Sequence, residues 1–152
     1  MRKKTIIQLI EENEFNVSIL YSLYAKKIPK KGRFWKQLST EEISHAASIG
    51  SERSDKETDL FKENKFSHTI TAYVMNFVID EINKAKEAEK INHKEALLIA
   101  LRIERSMLEK KCFDIFSPTN KKLKRILKKL NDETEQHIQI LIKEMQRIKN
   151  SS

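Results

Sequence analysis

The sequence has few of the residues that interrupt helices or link chains covalently. Its 152 residues include only two glycines, two prolines and one cysteine, Cys112. Few glycines and prolines mean few turns, which favours a small number of long helices. A lone cysteine excludes an internal disulfide and any CxxC pair that could hold iron, and its place on an apolar helix face indicates a small core residue.

Long apolar runs are also missing. The first eleven residues are partly basic, and their apolar run is too short for a signal peptide or a membrane span, so we expect a cytoplasmic protein without a membrane partner. Charged residues make up 34% of the chain and hydrophobic ones 39%, as expected for helices with one apolar face. We therefore predict an all-α protein whose residues 1–152 form one domain.

The charge is unbalanced, with 30 Lys and Arg against 22 Asp and Glu and a formal net charge of +8. The lysines cluster at 26–31 and 121–129, but most of the excess is dispersed among acids, and no nucleic-acid-binding signature is present. The composition therefore disfavours a nucleic-acid partner and indicates a lysine-rich surface.

Apolar residues in steps of three and four predict helices over 5–27, 33 to about 51, 70–90, 92–116 and 120–148. The stretch 52–65 is polar and reads as a connection, partly helical at most. The helix over 70–90 has no carboxylate in its apolar face, so we expect a crossover element outside the bundle centre. The second helix could instead begin at Ser39, which has capping-box spacing to Glu42, but Trp35 and Leu38 extend the apolar face upstream and favour the longer helix.

Ionisable residues interrupt these apolar faces. Glu42 and His45 lie in the second helix, and Glu14, Glu104 and His137 occupy equivalent positions in three other helices. With antiparallel helix pairs, all lie roughly 14 to 26 Å from their loops, near mid-bundle. A buried charge without a partner costs several kcal/mol, roughly, so these residues need one another or a metal.

Carboxylate oxygens together with imidazole suit iron or manganese. Glu42 and His45 are three residues apart and share a helix face, so both could bind one ion. Tyr21 also lies in an apolar face; its buried hydroxyl needs a partner, and a carboxylate ligand is one candidate. His68 and His93 fall at predicted helix starts away from these faces and are expected to be surface residues or neighbours of helix caps.

The pattern resembles the ferritin-like, rubrerythrin-type di-iron proteins, which take one Glu from each of two helices and Glu-x-x-His from each of the other two. The segments that carry the resemblance, besides Glu42 to His45, are Glu14-Phe15-Asn16-Val17-Ser18-Ile19-Leu20-Tyr21, Phe34-Trp35 and Ala100-Leu101-Arg102-Ile103-Glu104. It implies an antiparallel four-helix bundle with a long, partly helical crossover between bundle helices 2 and 3. Glu14 and Glu104 would be single ligands, Glu42 with His45 one pair, and His137 the histidine of the second pair.

The last helix departs from this pattern, because Thr134 stands where the second pair has its glutamate. Glu133, four residues before His137, could replace that ligand or could face solvent. Three outcomes stay open: a complete site with Glu133, an altered or single-metal site, and a metal-free bundle.

By this resemblance the protein is an iron-binding oxidoreductase that oxidises Fe(II) or reduces peroxide or oxygen, as a rubrerythrin-like peroxidase or a ferroxidase. Two iron ions are expected if the site is intact, with manganese as an alternative. The chain has no rubredoxin segment, so electrons would come from a separate donor or from Fe(II) itself, and a homodimer is compatible with the fold. The alternative is a metal-free or single-metal bundle with a structural or interaction role. A basic bundle that binds a polyanion is a weaker third hypothesis.

Overall fold

A computed structural model of the chain describes residues 6–52, 65–107 and 121–151. Its elements are α1 (Ile6–Lys27), a 3-10 turn (Pro29–Lys31), α2 (Gly32–Glu52), α3 (Lys65–Glu87), α4 (His93–Ser106) and α5 (Lys121–Ser151). No strand occurs among the residues in these three ranges. The all-α prediction is confirmed.

The α1 and α2 helices pack antiparallel on either side of the short Pro29–Lys31 turn. Tyr24 contacts Trp35 near the turn, with ring centroids 4.9 Å apart. Further along, the Ser39 hydroxyl donates to the Ser18 carbonyl over 2.7 Å. The α2 helix is continuous from Gly32, so the alternative start at Ser39 is wrong: that hydroxyl bonds to α1 across the interface.

The α3 helix runs parallel to α1 and packs against it. Asn13 Nδ2 donates to the Thr71 carbonyl over 3.5 Å, and Lys27 Nζ donates to the Ala88 carbonyl over 2.5 Å, so residue numbers rise together along both helices. The side of α3 that meets the core contributes apolar residues: Val74, Val78, Ile82 and Ala85. Glu81 is buried beside them, so the expectation that this face has no carboxylate is wrong. The connecting stretch 53–64 lies outside the described residues.

The α4 helix begins as predicted, because the Asn92 side chain accepts a hydrogen bond from the Glu95 N–H over 3.0 Å. Its end differs from the predicted end near Phe116, and residues 108–116 of that prediction lie outside the described ones. The helix ends at Ser106, and the Met107 N–H bonds back to the carbonyls of both Ile103 and Glu104, a tight last turn that closes the helix. Cys112 lies outside the described residues.

The core draws residues from all five helices. Its fully buried members include Val17, Leu20, Trp35, Val78, Leu97, Ala100 and Leu141. Contacts between α4 and α5 pair Glu104 with His137 and His93 with Glu144, so these two helices are antiparallel. Within the described residues, no helix is both long enough and apolar enough to cross a membrane.

Candidate metal centre

Five ionisable side chains from four helices converge in the middle of the protein. We call them the central cluster: Glu14 on α1, Glu42 and His45 on α2, Glu104 on α4, and His137 on α5. Their exposed fractions are 1%, 1%, 6%, 0% and 2%, respectively. The expectation that these residues lie buried in apolar faces is confirmed.

Glu42 lies between the two imidazoles. Its Oε1 is 2.8 Å from His137 Nδ1, and its Oε2 is 3.5 Å from His45 Nδ1. The two rings are stacked, with centroids 5.2 Å apart and planes inclined by 25°. One carboxylate therefore faces two histidines, with a different oxygen toward each.

Each imidazole also faces a second buried glutamate through the same nitrogen. Glu14 Oε2 is 3.6 Å from His45 Nδ1, and Glu104 Oε1 is 3.3 Å from His137 Nδ1. The cluster thus has two halves, Glu14 with His45 and Glu104 with His137, and Glu42 is shared by both.

The cluster holds more acceptor oxygens than its histidines satisfy. Both carboxylate oxygens of Glu14 and Oε2 of Glu104 are buried and have no hydrogen-bond partner in the part of the chain that the structure describes; the same is true of His45 Nδ1. Buried polar atoms in proteins nearly always have a partner. A cation placed between the two halves would supply one.

The excess of carboxyl groups also shifts the pKa values of Glu14, His45 and His137 upward. Burial, followed by the neighbouring Glu42, raises the pKa of Glu14 well above its usual value. Burial alone would lower the pKa of each histidine, but Glu14 raises the pKa of His45 and Glu104 raises that of His137, so both lie above the usual value. Without a metal, the cluster therefore attracts protons, as expected of a site short of positive charge.

Three residues contact the cluster from outside. The Tyr21 hydroxyl donates to Glu104 Oε1 over 2.9 Å, so the candidate carboxylate partner of this tyrosine is the observed one. Glu133 Oε2 is 2.9 Å from His45 Nε2, and Glu41 Oε1 is 3.8 Å from His137 Nε2. Both histidines thus direct Nδ1 inward and Nε2 toward a partly exposed acid.

Sequence reasoning did not single out Glu41. It directly precedes Glu42 and lies on the flank of the apolar face, so the periodicity assigns it no role. The contact with His137 depends on how α2 is rotated against α5, which heptad spacing alone does not specify.

Glu133 lies outside the space between the two halves. It contacts the His45 nitrogen that points away from Glu14 and Glu42. Thr134, one turn before His137, is 1% exposed and offers only a hydroxyl. In this arrangement Glu133 is an outer partner of His45, and its role as a replacement ligand stays a prediction.

A second histidine, His93, lies in a cluster of its own near the Pro29–Lys31 turn. Trp35 Nε1 is 3.1 Å from His93 Nδ1, and His93 Nε2 is 3.2 Å from Glu144 Oε2. Glu144 also contacts Arg147, and Lys31 Nζ at 3.6 Å. We call these five residues the end cluster. His93 directly follows the Asn92 cap, so its prediction as a neighbour of a helix cap is confirmed. The alternative of a surface residue is wrong, because the ring links three helices. The His68 side chain lies outside the described ones.

The described part of the chain is therefore all-helical and carries a buried group, Glu42, His45 and His137, that could hold a metal ion. Ligand atoms of these three residues lie within 4.8 Å of one another. Comparisons with protein-family models, with curated proteins and with solved structures found no match to this chain. The functional interpretation accordingly depends on the chemistry of the central cluster.

Proposed function

We propose that the central cluster binds iron as a ferritin-like, di-iron type centre and that the protein couples Fe(II) oxidation to the reduction of peroxide or oxygen. The observation that carries the proposal is the position of Glu42, whose two oxygens face the Nδ1 atoms of two different histidines. A carboxylate in this position can bridge two metal ions.

The two halves provide one ligand set each. Glu14 and His45 would hold one ion, Glu104 and His137 the other, and Glu42 both. Carboxylate oxygen and imidazole nitrogen together suit iron or manganese, and the unpartnered oxygens of Glu14 and Glu104 would gain the positive partner that they lack.

The outer contacts of the histidines support the same proposal. A histidine that binds metal commonly donates its other ring N–H to a carboxylate, which fixes the tautomer and orients the ring. Glu133 lies at this position on His45, and Glu41 lies on the corresponding side of His137. Both Nδ1 lone pairs would then point into the cluster.

Helix directions also support the ferritin-like interpretation. The α1 and α2 helices are antiparallel, as are α4 and α5, and all four supply residues to the cluster. The α3 helix packs against α1 and lies between the two pairs in the chain, as expected of a helical crossover. Together these features support the proposal of a four-helix bundle with a long crossover.

Iron would supply the redox chemistry, because one-electron oxidation of two Fe(II) would provide the two electrons that, with two protons, reduce one peroxide to two water molecules. The residues of this chain hold the ions and exclude bulk water, since the three carboxylates are at most 1% exposed. Tyr21 orients Glu104 through its hydroxyl. Restoring Fe(II) requires a separate electron donor or fresh Fe(II).

Anaerobic titration with Fe(II), followed by peroxide, tests the proposal. The wild-type protein should bind up to two ions and consume peroxide, whereas Glu42→Gln should do neither. Glu144→Gln is the matched control for iron binding, because Glu144 is also a largely buried glutamate beside a histidine but lies outside the central cluster. A wild-type protein that binds no iron contradicts the proposal.

A metal-free bundle is the second candidate, and two close contacts favour it. Glu42 with His137 at 2.8 Å and Glu133 with His45 at 2.9 Å can be ion pairs that need no metal. Under this hypothesis, replacing Glu42 and His45 together by Met should leave folding intact or improve it, since buried ion pairs often stabilise no better than apolar residues. Iron should then have no effect on the melting temperature of the wild-type protein.

A further inference from the structure

The end cluster is a directed chain of hydrogen bonds. An indole N–H can only donate, so Trp35 Nε1 donates to His93 Nδ1 over 3.1 Å. His93 must therefore carry its proton on Nε2, which donates to Glu144 Oε2 over 3.2 Å. Each proton thus has a defined acceptor, from Trp35 through His93 to Glu144.

Trp35 also lies in contact with the aromatic ring nearest the central cluster. It is fully buried, and its ring centroid is 5.4 Å from that of Tyr21. The Tyr21 hydroxyl in turn donates to Glu104. Short contacts therefore lead without interruption from a proposed metal ligand to the indole and on to the end cluster.

His93 is suited to accept a proton. Burial, together with the nearby cations Lys31 and Arg147, lowers its pKa. Although Glu144 opposes this effect, the pKa stays below the usual value, so the ring is neutral at pH 7. Its Nδ1 lone pair already points at the indole N–H. The Glu144 carboxylate would stabilise the imidazolium that forms when the proton moves.

We propose that Trp35 is an internal one-electron donor to the central cluster, with His93 as the acceptor of its indole proton. The proposal rests on the proposed iron site and concerns peroxide as the oxidant. Tyr21 provides the contact through which the electron passes, and the proton moves separately over the Trp35–His93 hydrogen bond.

The missing carboxylate at Thr134 explains why a second electron donor would be needed. With Thr134 in place of a second bridging glutamate, one of the two iron positions would have one carboxylate fewer, so protein given one equivalent of iron would hold a single Fe(II). Peroxide needs two electrons to become two waters, and one Fe(II) supplies only one. Trp35 supplies the other. Two solvent protons enter the waters, while the indole proton moves to His93 Nδ1 and leaves a neutral indole radical.

The donor can be reset from the protein surface. Phe34, half-buried, packs against both Trp35 and His93, with ring centroids 5.1 and 5.7 Å away. A soluble one-electron reductant such as ascorbate returns an electron to the indole radical, and the proton moves back from His93 to Trp35. Over the cycle, His93 and Trp35 are unchanged.

The experiment uses the fact that Trp35 is the only tryptophan in the chain. Protein loaded with one equivalent of Fe(II) is mixed with peroxide, and rapid freezing with electron paramagnetic resonance detects the radical. The wild-type protein should give a neutral indole radical, and Trp35→Phe should give none while binding iron normally. Tyr24→Phe is the matched control: its ring also packs against Trp35, and it should keep the signal.

The role of His93 is measured without metal, by flash oxidation of Trp35 with a soluble photo-oxidant. His93→Gln keeps an acceptor for the indole N–H but cannot take the proton. Loss of the proton from the oxidised indole should slow by about tenfold or more, as when a general base is removed. Equal rates in the two proteins overturn the assignment of His93.

The outcomes separate this inference from the proposed function. A protein that binds no iron overturns both. A protein that binds iron and consumes peroxide, but gives no indole signal or gives the same signal after Trp35→Phe, keeps the proposed function and overturns the inference.

Discussion

The central and end clusters both place histidine beside buried glutamate, yet their charge balance is opposite. In the central cluster, three carboxyl groups face two imidazoles, and both histidines and Glu14 have raised pKa values. In the end cluster, one carboxylate meets His93, Arg147 and Lys31. Burial there raises the pKa of Glu144, but Arg147 and His93 outweigh that effect and lower it.

The difference explains why only one of the clusters is a candidate metal site. The one acid of the end cluster, Glu144, is already balanced by Arg147 and Lys31, and the hydrogen bonds of this cluster run from Trp35 through His93 to Glu144. In the central cluster, oxygens of Glu14 and Glu104 are buried and accept no hydrogen bond from the described part of the chain, and the raised pKa values of Glu14, His45 and His137 favour bound protons. Both clusters contain histidine and glutamate, so residue types alone do not distinguish the metal site. The charged groups that contact each glutamate do.

The largest effect should come from exchanging the shared carboxylate. Glu42→Gln removes charge from both proposed iron positions at once, so Fe(II) affinity should fall by more than about 100-fold, beyond the loss typical of an outer partner. Glu144→Gln should leave affinity unchanged. Isothermal titration calorimetry under anaerobic conditions measures both, and equal affinities for the two variants would remove the distinction between the clusters.

The outer partner of His45 should matter less. Glu133→Gln keeps the size of the side chain but weakens the orientation of the imidazole, and Fe(II) affinity should fall by about 10- to 100-fold. Glu41→Gln is the comparison, because Glu41 lies 3.8 Å from His137 and is 40% exposed, so its loss should cost less. An effect of Glu41→Gln as large as that of Glu133→Gln would contradict the assigned geometry.

Replacing Thr134 by glutamate should increase the difference in stability between the metal-free and the iron-bound protein. Thr134→Glu adds a buried acid to an acid-rich cluster, so the metal-free protein should lose roughly 1 to 3 kcal/mol of unfolding free energy. Iron should reverse the loss and raise the stoichiometry toward two ions. Thr134→Gln, of similar size but neutral, should gain nothing from iron. Urea denaturation with and without Fe(II) distinguishes these cases.

In the metal-free protein, the free energy of unfolding should fall as pH rises, because the central cluster has more groups with raised pKa values than the end cluster has with lowered ones. Glu14, His45 and His137 have folded pKa values above their unfolded ones, so their stabilising contribution is complete below the unfolded values and is lost as pH rises through the folded ones. His93 and Glu144 have lowered pKa values and contribute in the opposite direction.

Urea midpoints measured from pH 5 to pH 9 should therefore fall with pH. Glu14→Gln should flatten the decline, and His93→Gln should steepen it. Bound iron should reverse the slope, because its ligands must be deprotonated. A midpoint that rises with pH in the metal-free protein would mean that the central cluster is not short of positive charge.

Helical periodicity predicted most of the fold. Scarce glycine and proline, apolar steps of three and four, and the Asn92 cap were enough for the helix type and most boundaries. The end of α4 was missed because nothing at Met107 in the sequence marks a stop. Predicting that end requires the local hydrogen bonding of its last turn.

The same periodicity identified which side chains point inward, including Glu42, His45 and the Tyr21 hydroxyl. It could not identify contacts on the flanks of helices. Glu41 with His137, Glu133 with His45, and His93 with Trp35 all depend on how two helices are rotated and offset against each other. The spacing of residues along the sequence predicts which face of a helix is buried, but it does not predict which residues of another helix that face contacts.

Anomalous diffraction at the iron absorption edge, from crystals grown anaerobically with Fe(II), tests the central claim most directly. We expect an anomalous peak between Glu42 and the Nδ1 atoms of His45 and His137, with a second, weaker peak or none, and no peak at Glu144. Iron at surface carboxylates only, with no peak beside Glu42, would contradict it.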